Sequence, residues 1–257
     1  MMALIENFDI LGVHVAVTNL QFTCQLIEQW IRERRKTYIC ISPVSTIVDC
    51  QGDAEYRKII NNAGMATPDG MPLVWIGRLR GKKNIRRTYG PELLLTFCQL
   101  SQANGYRHYF YGGDPQTNSQ LIERLKNCLP GIRIVGNFAP PFIGVGELEQ
   151  DDVLRRINDA QPDVLWVGLG SPKQDYWMHH HRDKLNVPVM VGVGAAFDFI
   201  AGTKPQAPVW MRRSGLEWFF RLCCEPHRLW KRYLIGNTKF IVYLIRDMFK
   251  RTTVSYD

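Results

Sequence analysis

The segment VLWVGLGSPKQDYWMHHHRDKLNVPVMVGVG, residues 164–194, reads as strand, helix, strand. Val164–Gly168 and Val189–Val193 are short apolar, β-branched runs of strand length. Between them Pro172 stands at a helix start, where its missing amide hydrogen costs nothing, and the stretch Pro172–Lys184 has helical character. The endings VGLG and VGVG are two strand ends of one sheet.

The same alternation extends outward. Val13–Val17, Tyr38–Ser42, His108–Tyr111 and Arg133–Val135 are further strand candidates. Helices are expected over Thr18–Arg35 with Thr18 as N-cap, Gly90–Asn104 with Pro91 in its first turn, Pro115–Cys128 and Glu147–Asp159. Such alternation predicts an α/β fold with a mostly parallel sheet and helices on both faces. Ligands of open sheets of this kind sit beyond the carboxyl ends of the strands. Those ends carry Gly112-Gly113, Gly136, Gly168-Leu169-Gly170 and Gly192-Val193-Gly194, where backbone amides can approach a phosphate. From Pro205 onward strand signals stop, and two or three short helices are expected, split near Pro226 and Gly236. The division predicted is a sheet-based domain over 1–203 and a helical appendage over 204–257.

Charge separates these two parts. Of a net charge of +8, an excess of seven cations falls at or after Lys204, interleaved with Trp210, Trp218, Phe219, Phe220, Trp230, Tyr233, Phe240 and Tyr243. A tail of that kind meets something anionic, either a lipid surface or a nucleic acid. With 46% hydrophobic and 22% charged residues, the 257-residue chain has the composition of a soluble protein with a real core. Its seven cysteines are odd in number and lack C-x-x-C, which fits buried thiols in a reducing cytosol. Glu6 and Asp9 stand where a signal peptide carries positive charge, and FIVYLI (240–245) ends at Arg246, far short of a spanning helix.

Several groups carry possible chemistry. Thr67-Pro68-Asp69-Gly70-Met71-Pro72 places one carboxylate in a tight turn, where it serves either the turn itself or proton transfer. Gly168-Leu169-Gly170-Ser171-Pro172-Lys173-Gln174-Asp175 runs from a strand into a helix start whose amides and dipole attract anions or sugar hydroxyls; a capped helix with solvated Lys173 and Gln174 is the alternative. His179-His180-His181 cannot converge on one metal, because consecutive helical residues point about 100° apart, and a solvated helix face is expected. No D-x-D is present, so any diphosphate must be neutralised by Arg and Lys. The full G-x-G-x-x-G fingerprint is absent as well, which disfavours NAD- or S-adenosylmethionine-dependent chemistry. Arg221, Arg228 and Lys231, spaced by seven and three, share one helical face if the helix runs through Pro226.

Six segments in order, PDGMPLVW (68–75), RRTYGPELL (86–94), FYGG (110–113), VGLGSPKQDYW (167–177), VGVGAAFDFIAG (191–202) and APVWMRRSGLEWFFRLCCEPHRLWKRYL (207–234), together resemble the WecG/TagA/CpsF glycosyltransferases. The resemblance implies a Rossmann-like enzyme that moves a sugar from a UDP-sugar to a polyprenyl-diphosphate-linked saccharide in bacterial surface-polymer synthesis. It implies inversion, no metal and no cofactor, and a C-terminal appendage that docks on the membrane. By position, Asp69 resembles the general base. Ser42, Arg87, Gly112, Gly113, Gly170, Lys173, Gln174 and Asp198 are expected in the donor or acceptor pocket, and Arg221, Arg228 and Lys231 on the diphosphate. Family members carry T-x-N-P where this chain reads Cys40-Ile41-Ser42-Pro43, a departure that bears on sugar specificity more than on reaction type. The implied location is cytoplasmic, peripheral on the inner face of the cell membrane, with an anionic membrane surface as partner, no nucleic acid, and a homo-oligomer compatible with the sequence. The rival reading is a non-catalytic nucleic-acid-binding α/β protein, which explains the basic tail but not the pocket-like turns.

Overall fold

The computed structural model describes residues 5–140 and 151–254. Six parallel strands, β3 (Thr37–Ser42), β4 (Met65–Pro68), β5 (Arg107–Gly112), β6 (Arg133–Phe138), β7 (Val164–Gly168) and β8 (Val189–Gly192), lie in the order β4-β3-β8-β7-β5-β6. The opening segment is therefore what it reads as: β7 and β8 are hydrogen-bonded neighbours at the centre of the sheet, joined by the helix α8 (Lys173–His181). The sheet is covered on both faces, and its side chains divide with period two. Leu165 and Val167 enter one core with Tyr38, Met190 and Trp177, while Val164 and Trp166 enter the other with Ile39, Val191 and Phe110.

Helices α1 (Leu20–Arg32), α5 (Gly90–Asn104), α6 (Pro115–Cys128) and α9 (Ala196–Ala201) cover the second face; α2 (Val44–Gly52), α3 (Ala54–Asn61), α7 (Asp151–Ala160) and α8 cover the first. Prolines and caps fix the ends of α5 and α6 where the sequence places them. Pro91 and Pro115 occupy first turns, and the Asp114 carboxylate accepts from the Thr117 amide at 2.9 Å. Asp53 caps α3 in the same way, accepting from the Tyr56 amide.

Other expectations are corrected. The N-cap of α1 is Asn19, whose side chain accepts from the Phe22 amide at 3.0 Å, while the Thr18 hydroxyl meets Thr23 instead. Val13–Val17 does not join the main sheet: β2 (Val13–Ala16) pairs with β1 (Asn7–Ile10) in an antiparallel hairpin. Gly136 is no strand end but lies within β6, where the register with β5 shifts and a side chain would strike the Tyr109 ring. The expected helix start at Glu147 lies outside the described residues.

After Pro208 the described chain holds only helices joined by short turns: α10 (Val209–Arg213), α11 (Glu217–Cys224), α12 (Pro226–Trp230), a π-helical turn (Lys231–Ile235) and α13 (Gly236–Val254). Pro226 splits the chain as its fixed φ and missing amide dictate. Gly236 does not, since its φ of −63° and ψ of −47° carry the helix straight on. The helix α13 packs on α2, burying Phe240 in the core and seating Leu244 against it. Four cysteines, 24, 40, 50 and 98, are buried thiols, whereas Cys128, Cys223 and Cys224 are exposed.

One close approach holds the sheet ends together. At Gly112, φ is +123°, and a Cβ there would lie 2.6 Å from the backbone of Gly168 on the neighbouring strand. Gly112→Ala is expected to destabilise the fold by about 2–4 kcal/mol, from backbone strain plus forced strand separation, read as a lowered denaturant midpoint.

Candidate active site

A cleft of about 1040 Å³ opens at the carboxyl ends of β3, β4, β7 and β8. This is where a sheet of this topology leaves space, between loops that diverge to opposite faces. Its floor is built from Pro43, the Asp69–Gly70 turn, the loop Leu169–Gln174 and the loop Val193–Ala196. Its roof comes from the appendage, through Glu217, Trp218, Arg221, Arg228, Arg232 and Tyr233.

Asp69 follows the edge strand β4, and its amide donates to the Ser42 carbonyl at 3.1 Å, extending the β3–β4 ladder by one bond. The sequence alone showed a turn after a helix here, because a four-residue strand ending in proline gives almost no strand signal. Arg87 grips one side of this carboxylate: Nη2 and Nε reach Oδ1 at 3.0 and 3.2 Å, and Nε also donates to the Asp69 carbonyl. Among the described residues nothing hydrogen-bonds to Oδ2. Arg87 is shared, since its Nη2 also meets Glu217 Oε2 at 2.6 Å and its Nη1 donates to the Arg212 carbonyl. The guanidinium lies 4.3 Å from the centre of the Tyr89 ring, and Arg212 approaches the same ring. Burial opposes its charge, but Asp69 and Glu217 more than offset that and raise its pKa above the usual arginine value.

Gln174, fully buried, serves the site differently from the expectation. Its Oε1 accepts from the amides of both Gly170 (3.1 Å) and Gly194 (2.9 Å), and its Nε2 donates to Ser171 Oγ. The amides of these two glycines are thus occupied, so the charge of an anion in the cleft falls to side-chain cations. Behind Gln174 lies Asp175, to which the sequence reading gave no role. It is buried and accepts from the Tyr56 hydroxyl at 2.7 Å. Burial pushes its pKa up to about 6, against the easing effect of Tyr56, Ser171 and Cys40.

The structure brings Asp69, Arg87, Gly170, Lys173, Gln174, Arg221 and Arg228 to one cleft. Five expected residues do not line it. The Ser42 hydroxyl is buried and donates back to the Cys40 carbonyl, so Ser42 supports Asp69 from beneath. Gly112 and Gly113 are spent on packing, with the Gly113 amide on the Gly168 carbonyl and the Gly112 carbonyl on Asn118. Asp198 faces Lys204 at 3.5 Å, which in turn reaches Glu225. Lys231 is exposed and lies over the Trp230 ring; Arg232 lines the cleft in its place, bonded to Ser45 Oγ at 3.0 Å. The histidine run diverges as geometry demands, yet only His180 is solvated; His181 is buried against the Trp177 carbonyl. Among the described residues no three His, Cys, Asp or Glu side chains converge on a metal-sized site. Glu217 and Arg232 escaped the sequence reading because each entered it only as one charge in the tail's balance.

The model of the Glycosyl transferase WecG/TagA/CpsF family matches residues 8–254. The chain belongs to this family. WecG/TagA/CpsF members among its relatives include an N-acetylglucosaminyldiphosphoundecaprenol N-acetyl-beta-D-mannosaminyltransferase of Bacillus spizizenii, 28% identical over 88% of this chain and 85% of that one. Proteins of the same name from Bacillus subtilis (29% identical; 76% and 73% covered) and Staphylococcus aureus (28%; 72% and 69%) are similar too. The chain is a glycosyltransferase, with the Rossmann-like sheet that the resemblance implies, and the reading as a non-catalytic protein gives way.

Two outcomes follow from the site. Glu217→Gln leaves Arg87 with one carboxylate and is expected to lower stability by about 2 kcal/mol, measured by thermal melting, and to slow sugar transfer. The Asp175 carboxyl has a folded pKa above its unfolded value, so the native state holds the extra proton between about pH 4 and pH 6 and loses relative stability as pH rises through that window. Denaturation midpoints are therefore expected to carry a falling component between pH 4 and 6 that Asp175→Asn removes.

Proposed function

We propose that this WecG/TagA/CpsF member transfers a sugar from a UDP-sugar to a polyprenyl-diphosphate-linked saccharide, with inversion and without a metal, while docked on the inner face of the cell membrane. The reading is carried by one observation: the Asp69 carboxylate and the appendage guanidinium groups of Arg221 and Arg228 face one cleft. The relatives' names, which specify a glycosyl group placed on a diphosphoundecaprenol-linked sugar, support the acceptor class. Among the described residues no helix is long and apolar enough to cross a membrane, which fits attachment through a surface.

In this mechanism Asp69 Oδ2 takes the proton of the acceptor hydroxyl as that oxygen attacks the anomeric carbon opposite the UDP. The carbon–oxygen bond to the β-phosphate breaks, and its electron pair leaves with the diphosphate. Negative charge grows on that leaving group in the transition state, where the half-buried Arg221 and Arg232, the latter in place of Lys231, and the exposed Arg228, which also pairs with Glu225, stabilise it. Arg87 holds Oδ1, so the base presents its other oxygen in a fixed direction. Gln174 keeps the two glycine turns at a constant separation beneath the sugar.

Asp69→Asn is expected to retain UDP affinity and to lose about 10²–10⁴-fold in turnover, with binding read by calorimetry and transfer by radiolabelled product. Turnover near the wild-type value would remove the base assignment. A chelator is expected to leave transfer unchanged, and loss reversed by added magnesium or manganese would reject the metal-free route.

A further inference from the structure

The basic tail conceals a second basic tract in the sheet domain. RLRGKKNIRR, residues 78–87, holds six cations and no acid, and it follows α4 (Met71–Leu79). Three of the six are consumed internally: Arg87 in the site, Arg80 on the Asp9 carbonyl, and Lys82 on Glu6 at 2.7 Å. Arg86 meets only backbone carbonyls of its own loop, and Arg78 and Lys83 are exposed, with no hydrogen bond or ion pair from their side chains among the described residues.

Beside these cations stand two apolar side chains that the fold leaves outside. Leu79 is 87% exposed and Trp75 45%, and with Arg78 they occupy adjacent positions on one helical face. Both line the mouth of the cleft. Facing them across it are Leu234 and Ile241 of the appendage, also more than half exposed. The two sides touch where the edge of the Trp75 ring lies against Gly215, a left-handed position with φ of +79° at which a Cβ would come within 2.9 Å of the ring.

We propose that the end of α4 and the loop 78–86 form a second membrane-contact element, seated on an anionic phospholipid bilayer, so that both lips of the cleft rest on one lipid surface. Free cations supply charge complementarity to anionic headgroups, and an exposed leucine and tryptophan between them insert where a bilayer turns from polar to apolar. A nucleic acid would use the cations but gain little from Leu79. The inference rests on the proposal of a membrane-docked enzyme and deepens it: the sheet domain, and not only the appendage, meets the lipid.

Amide hydrogen exchange of the full chain, with and without vesicles of phosphatidylcholine and phosphatidylglycerol, tests it. Slower exchange over 75–86 together with 209–249 is expected. Slowing confined to the C-terminal helices overturns the proposal, as does slowing over 75–86 that needs no vesicles and grows with protein concentration, which would make this face a contact between two copies. Arg78→Ala with Lys83→Ala is expected to weaken binding to anionic vesicles about tenfold to thirtyfold while leaving transfer to a water-soluble, short-chain acceptor unchanged; unaltered vesicle binding overturns it. If no lipid-linked acceptor is used while residues 75–86 are still protected by vesicles, the acceptor assignment fails and this surface stands.

Discussion

Arg87 sits between two carboxylates that come from opposite ends of the chain, Asp69 after an edge strand and Glu217 at the start of an appendage helix, with Tyr89 beneath it. A guanidinium can do this because its planar fork offers donors in several directions from one rigid group. An exposed pair of this kind contributes little. Here the three partners are only 12–22% exposed, so the pairing is shielded from solvent and the geometry is held. The appendage thereby becomes part of the wall of the site, and the position of the base depends on where α11 lies.

The rest of the cleft is organised by groups that carry no net charge or are buried. Gln174 joins two strand-end turns through one carbonyl oxygen, and a carboxylate at that point would bring an uncompensated charge into a fully buried position. Asp175 shows that cost one residue along: its carboxyl is stabilised in the protonated form because a single strong hydrogen bond, from Tyr56, does not replace water. The floor of the cleft, where Asp69 and Lys173 balance, thus carries little net charge, and Arg221, Arg228 and Arg232 stand on the helical side.

Much of the architecture was legible in the sequence because strands buried on both faces are continuous apolar runs, and because Pro91 and Pro115 mark helix starts by their own chemistry. What escaped has physical causes. The strand β4 is four residues long and ends in proline, β1 belongs to a two-stranded hairpin, and Thr18 and Asn19 are both good caps between which only the backbone chooses. In the site, Asp69, Arg87, Arg221 and Arg228 were placed by their position in recognisable segments. Ser42 ends β3 with its hydroxyl turned back to the Cys40 carbonyl, Gly112 and Gly113 at the end of β5 have backbone groups bonded to Asn118 and Gly168, and Asp198 lies in α9 and not at a strand end; local composition does not show any of these partners. Lys231 is the chain neighbour of the cleft-lining Arg232, and the spacing of cations alone does not choose between two adjacent ones.

The π-helical turn does not interrupt the last part of the described chain. From Pro226 the chain runs without interruption through Lys231–Ile235 into α13, a rod of roughly 40 Å at helical rise. Arg228 and Arg232 lie near its inner end, and two of its side chains are buried, Leu229 between those arginines and Phe240 further on in the core. Because both anchors belong to one continuous helical segment, the seating of the outermost helix and the placement of the charge around the cleft are set by the same packing.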